Sequence, residues 1–188
     1  MLVVLCGLSF SGKSTVASEL AVRLPAEVVG FDAINAERGL SSGQGVALEE
    51  WVKTKEIAHA RARASLAAGR SVVIDDTSSP AFLRDEWRAV ASGAGVAMVI
   101  VFVRLDPEEQ RARIAANRAS GDRADVLDAI LEEHLAGFEA QSDAEAALTF
   151  AGADSHSPDA LDALLVRIRS RAAESSVARI ERREPSGE

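Results

Sequence analysis

Glycine at 7 and 12, lysine at 13 and a hydroxyl at 14 form G-x-x-x-x-G-K-S, a spacing suited to cradling phosphate. Each residue type has a physical reason. Gly7 and Gly12 accept backbone angles that a Cβ would penalise. The intervening N–H groups of Leu8, Ser9, Phe10 and Ser11 are then able to curl inward around an anion. Lys13 adds a full positive charge for the β- and γ-phosphates, and the Ser14 hydroxyl is placed to ligate Mg²⁺. Thr15 follows as the helix starts, where free N–H groups and the helix dipole attract negative charge. Lysine is scarce, at 13, 53 and 55 only, so its presence at this spot is informative. The stretch predicts a site for ATP with Mg²⁺.

Further candidates lie downstream. Asp32 follows a short apolar stretch and is the candidate general base, able to orient and deprotonate an acceptor hydroxyl. The competing reading is a loop-capping aspartate. Asp75 and Asp76 close another apolar run, where one carboxylate is expected to hold the Mg²⁺ shell opposite Ser14. Which of the two does so is open, and the other would face a helix terminus or the substrate. Thr77 either contacts the substrate or supports the turn. Arg111, Arg113, Arg118 and Arg123 form an arginine-rich stretch suited to folding over a triphosphate as a lid. Arg118 and Arg123 are the preferred phosphate contacts, against a solvated face paired with acids. Arg38 and Arg84 are candidate substrate contacts, Arg84 either holding an anionic substrate or lying exposed on its helix.

Alternating strands and helices must position these residues, which argues for a parallel sheet with helices on both faces. Leu2 to Cys6 is unbroken apolar sequence, as expected of a strand buried on both sides. A helix is expected over 13–24, a strand over 27–31 and a helix over 47–68 burying Leu48, Trp51 and Val52. A strand over 71–74 precedes a helix carrying Phe82, Leu83, Trp87 and Val90 inward. A strand over 96–103 leads to Asp106-Pro107-Glu108-Glu109, a strong helix start. The pattern from 125 to 140 predicts a helix burying Val126, Leu127, Ile130, Leu131, Leu135 and Phe138, with His134 as a core histidine. A weak strand over 146–151 and a helix opening at Ser157-Pro158 complete a single domain, residues 1–174. Residues 175–188 read as a polar, flexible tail.

Composition narrows the function. The 188 residues are 47% hydrophobic, and the net charge of −8 disfavours general affinity for nucleic acid or anionic membrane. One cysteine, Cys6, permits no internal disulfide. No signal peptide or membrane span is read, so a cytoplasmic location is expected. Leu40-Ser41-Ser42-Gly43-Gln44 is similar to the transporter-ATPase signature but sits too close to the phosphate loop. Neither Asn35 nor Asn117 starts the Asn-Lys-x-Asp guanine motif, which disfavours GTPases.

GLSFSGKST, Asp32, VVIDDTSS and LDPEEQRARIAANR together resemble small P-loop kinases of the polynucleotide-kinase, chloramphenicol-phosphotransferase and zeta-toxin type, many described as AAA-family ATP-binding proteins. The resemblance spans about residues 1–140. It implies a P-loop NTPase three-layer sandwich with a five-stranded parallel sheet in order 2-3-1-4-5. It implies ATP, Mg²⁺ and γ-phosphate transfer to a small-molecule hydroxyl, on a nucleoside, sugar or antibiotic. Lys13 and Ser14 would meet phosphate and metal, Asp32 would be the base, Asp75 the corner acid, and Arg118 or a neighbour the lid. Two positions depart from the pattern. Ser78 replaces the usual asparagine, and the arginine expected soon after the catalytic aspartate is Arg38, six residues on. The alternative expectation is an ATP-binding regulatory protein associated with tRNA or polynucleotide.

Overall fold

The structure is a computed structural model, and it describes residues 1–40, 46–121 and 125–181, with side chains of the last helix through 176. Five strands alternate with seven helices in the described residues. They are β1 (Leu2–Cys6), α1 (Lys13–Arg23), β2 (Ala26–Gly30), α2 (Phe31–Glu37) and α3 (Leu48–Ala67). Then come β3 (Ser71–Asp75), α4 (Ala81–Gly93), β4 (Met98–Arg104), α5 (Pro107–Ser120), α6 (Asp128–Ala136), β5 (Leu148–Ala151) and α7 (Pro158–Glu181). The sheet order is β2-β3-β1-β4-β5, every neighbouring pair parallel. This is the P-loop NTPase sandwich that the resemblance implies.

β1 is central, and all five of its residues are buried. Their alternation divides the core. Val3 and Leu5 pack with Val16 and Leu20 of α1 and Leu161, Leu164 and Ile168 of α7. Leu2 and Val4 pack with Ile34, Ala58, Ala62, Trp87 and Val90 from α2, α3 and α4. Period-two alternation thus feeds two helical layers from one strand. At about 1.5–3 kcal/mol per fully buried aliphatic side chain, a polar replacement in β1 would disrupt the layer its side chain faces.

Several expectations change. Phe31 to Glu37 continues directly from β2 as a helix, so Asp32 sits in a first helical turn rather than a loop. In α3 the buried stripe is Thr54, Ala58, Ala62, Ser65 and Leu66, while Leu48 is 71% exposed and Val52 lies at the surface. Small residues face the sheet because α3 packs closely there. Phe82 also faces solvent, although Leu83, Trp87 and Val90 are buried. The largest correction is α6: it is shorter than expected and buries no residue. Leu127 and Leu135 are exposed, and so is His134. α7 runs on past residue 175, with the Ser175 and Ser176 hydroxyls bonding back to the Arg171 and Ala172 carbonyls. The signature-like peptide at 41–44 and Arg123 lie outside the described residues. No helix among the described residues is long and apolar enough to cross a membrane.

Candidate functional site

Strand β1 ends at Cys6, and the chain turns through Gly7 (φ 154°) and Gly12 (φ 100°) into α1. The tight path is required: a Cβ on Gly7 would meet the Val103 carbonyl at 2.5 Å. Lys13 is buried, and its Nζ donates to the Leu8 carbonyl at 2.8 Å, so the lysine folds back across the loop. The loop is held from outside as well. Gln110 Nε2 donates to the Ser9 carbonyl at 2.7 Å, and Arg113 Nη1 donates to the Phe10 carbonyl at 3.3 Å. Both belong to α5, which Asp106 caps by accepting from the Glu108 N–H. Arg113 also reaches the Gly152 carbonyl at 3.0 Å. Gly152, just after β5, passes so close that a Cβ would lie 2.1 Å from the Ser11 carbonyl. Gln110 was not singled out from sequence, although it lies one helical turn from Arg113 on the same face.

The corner after β3 faces the loop. The Gly7 N–H donates to the Thr77 carbonyl at 3.1 Å. The Ser14 hydroxyl lies beside the Asp75 carboxylate and favours its charged form. Burial pushes the Asp75 carboxyl above the usual range, with the Asp76 and Asp32 charges adding and Ser14 and Lys13 opposing. Asp76 is also pushed up by burial. Its Oδ2 accepts from the Ser78 N–H at 2.9 Å, closing an Asx turn in which Ser78 takes φ 44°. Asp76 therefore supports the corner, and Asp75 is the carboxylate beside Ser14.

These groups line one cleft of about 250 Å³. It gathers Ser9, Phe10 and Gly12–Thr15 from the loop, Asp32 and Asn35 from α2, and Asp75, Asp76 and Thr77 from the corner. Phe31 and Trp51 join them, with Val126, Ile130 and His134 from the α6 segment. His134, expected in the core, thus borders the cleft.

The arginines behave differently from expectation. Arg84 is fully buried and lies outside the cleft lining. It donates to Glu145 at 2.6 and 3.0 Å, to the Ser78 carbonyl at 3.1 Å, to the Glu139 carbonyl at 3.2 Å and to the Ser79 carbonyl. A guanidinium so fully bonded has no group left for a substrate; it fixes the corner instead. Burial works against its charge, and the Glu145 hydrogen bond together with nearby negative charge, that of Glu145 and Glu139 included, more than offsets this. Arg38 is likewise a clamp, joining the end of α2 to Glu50 and Thr54 of α3. Arg118 lies outside the lining and is bonded to Asp125 at 3.0 Å and Asp128 at 2.6 Å, holding the approach to α6.

Comparison with known proteins agrees with this geometry. Residues 2–141 match the profile of the AAA domain family. The chain belongs to that family. None of the curated proteins matches it. This AAA-domain chain is similar in fold to Chaetomium thermophilum Kti12 in complex with ADP-AlF3. That match has TM-score 0.71 and 17% identity and covers 92% of this chain and 99% of the other. It is also similar to a gluconokinase from Sinorhizobium meliloti 1021, with TM-score 0.63, 19% identity and coverage of 93% and 96%. A third structure is the Mycobacterium tuberculosis APS kinase CysC in complex with AMPPNP and APS, with TM-score 0.59, 19% identity and coverage of 90% and 95%. At these identities the likeness shows the fold.

Proposed function

We propose that this chain is an ATP-dependent kinase that transfers the γ-phosphate to a hydroxyl of a small molecule. The observation that carries the reading is the convergence of Lys13, the Ser14–Asp75 pair and Asp32 on one cleft. The loop amides and Lys13 bind the phosphates. Asp32 accepts the acceptor's proton as its oxygen attacks the γ-phosphorus. The bond from that phosphorus to the β–γ bridging oxygen breaks, and ADP leaves. Asp32 then returns the proton to solvent. Ser14 and Asp75 offer the hard oxygen donors that suit Mg²⁺, which binds through one or two carboxylates together with substrate phosphates. When bound, Mg²⁺ would supply charge neutralisation on the phosphates. The gluconokinase and APS kinase support a small-molecule acceptor.

The test is ADP release against a panel of hydroxyl acceptors, wild type beside Asp32→Asn. Acceptor-dependent turnover that survives unchanged in the variant would remove Asp32 from this role. The fold similarity to Kti12, solved with ADP-AlF3, favours a second reading, an ATP-binding regulatory protein. Slow ATP hydrolysis stimulated by a macromolecule, and by none of the small acceptors, would select it.

A further inference from the structure

The acceptor end of the cleft carries a chemistry of its own. Asp32 and Asn35 stand one turn apart on α2 and both line the cleft. Asn35 is only 3% exposed. A relay fixes its amide. Arg38 Nη1 donates to Thr54 Oγ1 at 2.7 Å, and Thr54 Oγ1 donates to Asn35 Oδ1. The single Thr54 hydroxyl proton goes to Asn35, whose amide oxygen faces it. The amide NH₂ is then the group that Asn35 offers to the cleft. A donor thus stands beside the Asp32 carboxylate, an acceptor. A hydroxyl fits between them, receiving from Asn35 and donating to Asp32.

The walls beyond this pair are apolar. Phe31 and Trp51 pack with ring centroids 6.2 Å apart, and Val126 and Ile130 add aliphatic surface. The charge is one-sided. Among the described residues, three carboxylates and a single cation, Lys13 of the phosphate loop, line the cleft. Of the described arginines expected to meet an anion, Arg38 is bonded to Glu50, Arg84 to Glu145, and Arg118 to Asp125 and Asp128. Among the described residues an anionic acceptor would meet Asp32 with no cation of its own to face, a juxtaposition that costs several-fold or more in affinity.

We propose that the acceptor is a hydroxyl compound with no anionic group and with a flat, apolar body, and that Asn35 aims its hydroxyl at Asp32. This rests on the kinase reading of the same cleft. The experiment uses matched pairs that differ by one carboxylate: uridine against orotidine, and phenyl β-glucoside against phenyl β-glucuronide. Binding is measured by calorimetry on the full chain with ADP and Mg²⁺ present, and transfer is measured separately by ADP release from ATP. The uncharged member of at least one pair is expected to bind about tenfold or more tightly than its carboxylate. Asn35→Asp, which keeps an acceptor for Thr54 but removes the NH₂ donor and adds a negative charge, is expected to weaken binding of the uncharged members about tenfold without improving that of the carboxylates. Ile130→Arg, on a helix that buries nothing, is expected to shift preference toward the carboxylates. No preference for the uncharged member in either pair, or a preference for the carboxylates, overturns the inference. Transfer to an anionic acceptor alone would also overturn it while leaving the kinase reading intact. Selective binding of the uncharged members without transfer would overturn the acceptor role together with the kinase reading, leaving only the cleft's preference for uncharged compounds.

Discussion

Gly152 offers the sharpest test of how the phosphate loop is held. It lies on the chain leaving β5, and the Gly152→Ala Cβ would fall 2.1 Å from the Ser11 carbonyl oxygen. Real Cβ atoms essentially never approach under 3.0 Å, so nearly an ångström must be found. Both partners are backbone, and the Arg104 carbonyl at 3.2 Å blocks retreat on the other side. Ser11 shares its peptide with the Gly12 N–H, one of the donors expected to meet phosphate. Misplacing one charge-assisted hydrogen bond costs about 1.5–3 kcal/mol, which corresponds to about ten- to a hundredfold weaker ATP binding. Overpacking should cost about 1–3 kcal/mol of stability, a fall in Tm of about 3–10 °C. Titration calorimetry with ATP and Mg²⁺, beside a thermal melt, reads both quantities. Gly69→Ala is the control: Gly69 takes positive φ (76°) but has nothing within 4 Å, so the variant should lose stability through backbone strain alone and keep ATP affinity. If Gly152→Ala binds ATP like wild type, the chain after β5 does not hold the loop and the reasoning fails.

Other expectations follow from named contacts. Asp32→Asn should lower acceptor-dependent turnover by about 10²–10⁴-fold while ATP affinity stays within a few-fold, as steady-state kinetics and calorimetry would show. Arg84→Met should destabilise by about 3–5 kcal/mol in chemical denaturation, because Glu145 loses its buried partner and keeps only Arg88 at 3.8 Å. Arg84→Met with Glu145→Leu should recover part of that loss, since no lone charge remains. The Arg84 hydrogen bond holds the Glu145 carboxyl below its ordinary value. Its stabilising effect is therefore present above about pH 4.3 and is lost as pH falls through the lowered value. Glu145→Gln should accordingly be less stable than wild type at pH 7, and the difference should close in acid, as melts across pH would show.

The phosphate loop and its flanking elements were legible because local sequence dictates them. Gly7, Gly12, Lys13 and Ser14 act within one turn, and β1 is buried whichever face is considered. The arginines were less legible because their partners are distant in sequence. Nothing near Arg84 announces that Glu145, 61 positions on, will take its charge. The same holds for Arg38 and Arg118, which meet Glu50, Asp125 and Asp128: a guanidinium suits a phosphate and a carboxylate equally well. Helix α6 shows where apolar periodicity misleads. Val126, Ile130 and His134 recur at helical spacing and border the cleft, so they resemble core residues although they border a cavity. In α3 the small residues Thr54, Ala58, Ala62 and Ser65 carry the packing, while the large Leu48 and Val52 drew the eye.

The central place of β1 separates two tasks. Everything that braces the phosphate loop from one flank comes from β4, α5 and the turn after β5, through Gln110, Arg113 and Gly152. Asp32, Asn35 and Trp51 come from the other flank, beyond β3 and β2. Substituting residues 31–54 would thus redraw what enters the cleft without disturbing the braces of the anion cup. The scaffold is divisible in this sense: one half can be re-tailored while its opposite half goes on holding the phosphate loop in shape.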